Sequence, residues 1–271
     1  MPRIRPPAVA DMFYPADAQE LQEMVDGYLR EATQGTASVE SAGAPKALIV
    51  PHAGYVYSGP VAASAYARLL PARRKIKRVV LLGPSHRVPL LGLASSSADA
   101  FSTPLGAIPL DRQAIERAEQ LPQVHRLDEA HALEHSLEVQ LPFLQSVLDD
   151  FSLVPLVVGD ASPAEVAEVL ELLWGGPETL IVVSSDLSHY HDYDTASALD
   201  STTSQAIEHL QLERIHGENA CGFHAVNGLL YLLRNRAPEL GLRGHTIDLR
   251  NSGDTAGPRD RVVGYGAYVF E

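Results

Sequence analysis

Three short runs of aliphatic residues, each spilling into a histidine, constrain this chain more than any other feature. Ala47-Leu48-Ile49-Val50 leads into Pro51-His52-Ala53-Gly54, and Val79-Val80-Leu81-Leu82 leads into Gly83-Pro84-Ser85-His86. Ile181-Val182-Val183 leads into Ser184-Ser185-Asp186, with His189 and His191 just beyond. An unbroken apolar run bounded by Gly, Pro and Ser reads as a strand buried on both faces. Strands of that kind belong to parallel sheets covered by helices, and open α/β sheets carry their chemistry at the carboxyl ends of strands. One histidine there would be unremarkable. Three converging at one end of a sheet point to a metal or acid–base site.

The intervening segments supply the helices. Asp17 caps a helix with Leu21, Met24, Val25, Tyr28 and Leu29 at helical spacing. Further helices are expected over 61–70, from Asp111, and over 134–148, 163–174, 197–209 and 222–233. Pro142 either kinks the 134–148 helix or marks a new first turn. Strands are expected at 153–158, 179–183 and 262–270, with short ones near 91–96 and 105–110 pairing as a hairpin. Residues 1–16 read as extended and 32–45 as a surface loop. The alternation predicts an α/β fold: one domain over residues 1–271, with a central, mostly parallel or mixed sheet and helices on both faces.

The formal net charge of −13 argues against a nucleic-acid partner. The one basic cluster, Arg73 to Arg78, reads as a solvated connection before a strand. A single cysteine rules out an internal disulfide framework and fits a reducing cytoplasm. No window holds the ~18 unbroken apolar residues of a membrane span, and the first residues lack an apolar signal core. A soluble, cytoplasmic protein without a membrane partner is expected.

His52, His86 and His189 form the first candidate set, because imidazole suits iron, zinc, copper and nickel. Each could instead simply hydrogen-bond at a strand end. Gly54 and Gly83 would let backbone approach a bound group closely. Cys221 precedes an apolar helix, whose N-terminus would favour a thiolate; the alternative is an inert buried thiol. His131-Ala132-Leu133-Glu134-His135 matches H-x-x-E-H, which on a helix would set both histidines on one face for zinc. Glu134 and Glu138 are spaced to line a cleft or to face solvent. Nucleotide-binding glycine motifs and serine-nucleophile motifs are absent.

Taken together, Phe13-Tyr14-Pro15, PHAGYVYSG (51–59), LLGPSH (81–86), EHSLEVQLPFL (134–144), VVSSDLSHY (182–190), Cys221-Gly222-x-His224 and the tail NSGD…VVGYGAYVF resemble the Memo family, also named AmmeMemoRadiSam system protein B. Asp11-Met12 stands where that family would have a Gly-containing turn. The resemblance implies a fold similar to the class III extradiol dioxygenases, which use non-haem Fe(II). It implies a metal pocket of His52, His86 and Cys221, with His189 as acid–base group and Asp186 beside it. Glu134, His135, Glu138, Ser85, Tyr55 and His224 would then form the pocket wall or orient the ligands. Fe(II) is the first expectation and copper or zinc the alternatives, since a thiolate in place of a carboxylate is softer and oxidisable. The expected function is a metal-dependent oxidoreductase acting on a small molecule. The alternative is a non-catalytic metal-handling or redox-sensing module whose cleft, lined by Tyr55, Tyr57 and Tyr190, captures a peptide. The family name also implies a link to a radical-SAM protein.

Overall fold

The computed structural model describes residues 2–34 and 44–271. In chain order the elements are β1 (Ile4–Arg5), α1 (Ala18–Gln34), β2 (Ala47–Val50), α2 (Tyr55–Tyr66), β3 (Arg78–Pro84), β4 (Leu93–Ser95), β5 (Ala100–Thr103), β6 (Gly106–Pro109), α3 (Arg112–Ala118) and β7 (Val124–Arg126). There follow α4 (Asp128–Ala132), α5 (Leu141–Val147), β8 (Ser152–Val158), α6 (Pro163–Leu173), β9 (Thr179–Ser184), β10 (His189–His191), α7 (Tyr193–Glu208), α8 (Phe223–Leu240), β11 (Gly244–Asn251) and β12 (Val262–Phe270).

The aliphatic runs do what their composition dictates. β2, β9, β3 and β8 lie side by side, all parallel, and every residue of β2 and β9 is buried. Antiparallel strands extend this block, with β12 against β2 and β4 against β8. The result is a mixed α/β sheet ordered β10-β12-β2-β9-β3-β8-β4-β7, with β11 also paired to β12. The connection β2–α2–β3 steps one way across the sheet and β8–α6–β9 steps back. Right-handed crossovers in opposite directions put α2 and α6 on opposite faces. α1 and α5 pack with α2, and α8 packs with α6 and against β3 and β9. Both faces are thereby covered.

Several local expectations are corrected. The stretch near 91–96 supplies β4, which lies between β8 and β7 in the main sheet, whereas the hairpin is β5–β6, which pairs with β1 in a separate three-stranded sheet. The helix expected over 134–148 begins only at Leu141, after the 3-10 turn Glu138–Gln140. Pro142 sits in its first turn, where its missing N–H costs nothing. α2 starts at Tyr55, six residues early, and α7 starts at Tyr193, capped by the Asp192 side chain. Of the expected loop 32–45, residues 32–34 belong to α1, and 35–43 lie outside the described residues. Asp11 adopts φ 63, the left-handed conformation for which a glycine would otherwise be chosen. Its carboxylate accepts the Ala16 N–H at 3.0 Å, and Asp is among the non-glycine residues that adopt this region most readily. Among the described residues no helix is long and apolar enough to cross a membrane.

Candidate metal centre

Because β2, β9 and β3 are adjacent and parallel, their carboxyl ends open at one place. His52 lies two residues past β2 and His86 two past β3, while Ser184 ends β9 with Asp186 just beyond. His135 arrives from a different direction, on the irregular segment between α4 and the Glu138–Gln140 turn. The rings of His52, His86 and His135 pack with centroids 5.2, 5.4 and 4.5 Å apart. One ligand atom from each lies within 4.8 Å of the others, a group placed to hold a metal ion. His52 is buried and His86 exposed, so the group opens to solvent on the His86 side.

The surrounding hydrogen bonds decide which nitrogens are free. Ser184 Oγ gives its only proton to the Ser136 carbonyl at 2.6 Å. It therefore accepts from the Gln140 amide and from His52 Nδ1, each at 2.8 Å, which leaves the His52 Nε2 lone pair facing the site. His86 Nδ1 donates to Glu134 Oε1 at 2.9 Å, which likewise frees Nε2. Glu134 also accepts the backbone N–H groups of His86, His135 and Ser136 at 2.6, 2.9 and 2.9 Å. Burial alone would raise its pKa, but these donors outweigh burial and hold it at about 2. Burial, reinforced by the neighbouring histidines, drives the His52 pKa well below its ordinary value, and burial followed by His86 lowers that of His135 to about 4. Both are neutral imidazoles near pH 7, the form that ligates a metal. His135 Nδ1 is buried with no hydrogen-bond partner, the nearest carboxylate oxygen, Glu134 Oε1, being 3.4 Å away. Three imidazoles, two of them oriented through Nδ1, fit a first-row metal.

Cys221 lies against His52 on one side of this group, its Sγ 3.3 Å from Nε2. Burial, then Asp186, pushes its thiol up to about 12, so burial overrides the thiolate expected near a helix N-terminus. The thiol donates to the nitrogen that a metal would take. Asp186 is buried, its pKa raised to about 6 by burial, and Oδ1 accepts the His52 backbone N–H at 2.7 Å. His189 Nδ1 bonds the Leu187 carbonyl at 2.8 Å, so that carbonyl, not the Asp186 carboxylate, orients the ring.

The remaining candidates divide. Ser85 Oγ closes its loop onto the Val88 carbonyl at 2.5 Å. His224 Nδ1 bonds the Ala161 carbonyl at 2.8 Å and packs on Phe223. Tyr55 is fixed in the core: it is 2% exposed, its hydroxyl donates to the Val139 carbonyl at 2.7 Å, and its ring packs between Tyr14 and Phe143. Tyr57 and Tyr190 are exposed. Glu138 neither lines a cleft nor faces water. Its carboxylate is buried against Arg5 and accepts from the Ala8 and Val9 amides and the Tyr14 hydroxyl. The H-x-x-E-H reading fails, because α4 ends at Ala132 and His131 turns away, bonding the Ala94 carbonyl at 3.0 Å. Sequence reasoning missed Ser184 and Gln140 as ligand-orienting groups and Phe13 as a ring packed on His135 at 4.7 Å. It also placed His135 in the pocket wall instead of in the ligand group. The apolar run ending in two serines was the available signal for Ser184.

The model of the Memo-like protein family matches residues 5–269. A MEMO1 family protein of Aquifex aeolicus is 36% identical over 99% of both chains. One from Ignicoccus hospitalis is 35% identical over 98% of each, and one from Nitrosopumilus maritimus is 30% identical over 98% of this chain and 99% of its own. With its motifs and its histidine group accounted for end to end, the chain belongs to the Memo family.

Proposed function

We propose that this protein is a metal-dependent oxidoreductase. It holds a first-row ion, Fe(II) by preference, at His52, His86 and a third ligand, and acts on a small molecule at the solvent-facing side of the site. The observation that carries this is the convergence of three imidazoles within 4.8 Å, with the inner nitrogens of His52 and His86 tied to Ser184 and Glu134. His135 is the third ligand nearest to hand. Cys221 competes for that role, since 3.3 Å from His52 Nε2 is close to the roughly 3.5 Å expected between a nitrogen and a sulfur sharing one tetrahedral ion. A bound ion of this type supplies Lewis acidity and one-electron chemistry. The protein's own part is to orient two imidazoles and to keep a proton carrier nearby. His189, its Nδ1 tied to Leu187, presents Nε2 for that task.

A second reading, metal handling or redox sensing with copper or zinc, is favoured by the thiol beside His52, a soft donor in its deprotonated form. Elemental analysis of protein purified anaerobically, run beside His86→Ala, His135→Ala and Cys221→Ser, tests the site. Near-stoichiometric metal lost in His86→Ala is expected, and the third ligand is whichever of the other two variants loses it. Wild-type protein that carries no metal and takes up none from added Fe(II), Cu(I) or Zn(II) would sink the proposal. Consumption of O2 with a catechol-like substrate, abolished in His189→Ala while metal is retained, separates the enzyme from the handling module.

A further inference from the structure

We propose that Arg5, on the short N-terminal strand β1, is a positioning residue for this metal centre, acting through the segment that carries His135 and Glu134. The inference rests on the metal reading above and names a residue outside the site on which that site depends.

The segment between α4 and the Glu138–Gln140 turn contributes twice to the centre: His135 belongs to the histidine group, and Glu134 orients His86. It is irregular, so little helical hydrogen bonding fixes it from within. Arg5 spans it. Nε donates to the His131 carbonyl at 3.0 Å, Nη2 to the Glu134 carbonyl at 2.7 Å, and Nη1 pairs with Glu138. The guanidinium thus holds the segment at its start, its middle and its end. Arg5 is 7% exposed and packs over the Phe101 ring at 5.4 Å, which orients the fork. Glu138 is held in turn by the Ala8 and Val9 amides and by the Tyr14 hydroxyl, at 2.7, 2.9 and 2.5 Å. On its other side the segment is seated on the end of β3, where Ser136 Oγ donates to the Pro84 carbonyl at 2.8 Å. A Cβ at Gly83 would come within 2.9 Å of Ser136 and Leu137, so the contact is close.

A buried ion pair is a poor way to gain stability, because well-packed apolar side chains of similar volume often do as well. What an apolar pair cannot supply is direction. The planar fork, aimed at two specified carbonyls and one carboxylate, fixes where the segment lies, and lysine cannot reproduce it. Partners of metal ligands typically control affinity by about 10–100-fold, and Arg5 acts one step further out, on the segment that carries one such partner, Glu134, and one member of the histidine group, His135.

The test uses Co(II) as probe. Affinity and visible absorption of the bound ion are measured on the full chain for wild type, Arg5→Lys and Glu138→Gln, with Leu170→Ala in α6 as a stability control remote from the site. Arg5→Lys and Glu138→Gln are expected to bind Co(II) about 10-fold or more weakly, with altered ligand-field bands. Leu170→Ala is expected to lower the melting temperature while leaving affinity and spectrum unchanged. Wild-type affinity and an unaltered spectrum in either folded Arg5→Lys or folded Glu138→Gln would overturn the inference and leave the metal reading standing. A loss of affinity in Leu170→Ala that matches its loss of stability would overturn it as well, by showing that affinity follows stability alone. Failure of the wild type to bind Co(II) would overturn both readings together.

Discussion

Glu134 accepts four hydrogen bonds from the residues that make or flank the site. Replacing it by Gln keeps the shape but puts an N–H where only acceptors fit. Glu134→Gln should therefore weaken metal binding by about 10–100-fold, measured by competition with a chromogenic chelator. The buried histidines make a second residue-scale prediction. Burial lowers His131, like His135, to about 4, so at mildly acidic pH the unfolded chain binds protons that the folded one refuses. Stability rises with pH wherever the unfolded state holds more protons. The metal-free protein should therefore lose stability as pH falls from about 6.5 to 4. Thermal melts across that window should show the slope, and it should flatten in His131→Leu.

At the scale of elements, the carboxyl ends of β2, β9 and β3 do the assembling, and the N-terminal arm closes the centre from outside. Glu138 is the joint between arm and site. Glu138→Ala would strand the buried Arg5 guanidinium and orphan two amides. We expect a loss of about 3–5 kcal/mol by urea denaturation, far beyond an exposed helical glutamate. Gly264 makes a comparable demand on β12. A Cβ there would lie 1.9 Å from Asp200 Oδ2, the carboxylate that accepts the Ser188 N–H in the loop carrying His189.

Across the whole molecule, the three histidines come from positions 52, 86 and 135, far apart in sequence, so the site exists only in the folded chain. An ion bound there must stabilise the fold by mass action. At 100 times the dissociation constant the gain is about 2.7 kcal/mol, visible as a melting temperature that climbs with metal concentration and falls back on chelation. A melting temperature indifferent to metal would contradict a site made only on folding.

The strands were legible because burial on both faces demands uninterrupted aliphatic residues, a local and unambiguous pattern. So were the helices with clear caps and stripes. The histidines past β2 and β3 were legible for the same reason, since strand ends announce themselves. The 134–148 stretch misled because its apolar spacing fits a helix; Pro142 marked the true start of α5, but nothing local showed that the residues before it pack irregularly on β3. Likewise the spacing of Glu134 and Glu138 suggested one shared face. Their real partners, His86 and Arg5, lie dozens of residues away, and no local pattern encodes them. By itself the sequence determined the parallel core, its strand ends and the family, all consequences of short-range patterning and of long matching motifs. Only the tertiary structure decided that His135 joins His52 and His86, that Cys221 stands as a protonated thiol beside them, and that an N-terminal arginine holds the ligand segment. Each of these depends on distances between remote residues and on burial, which exist only once the chain has folded.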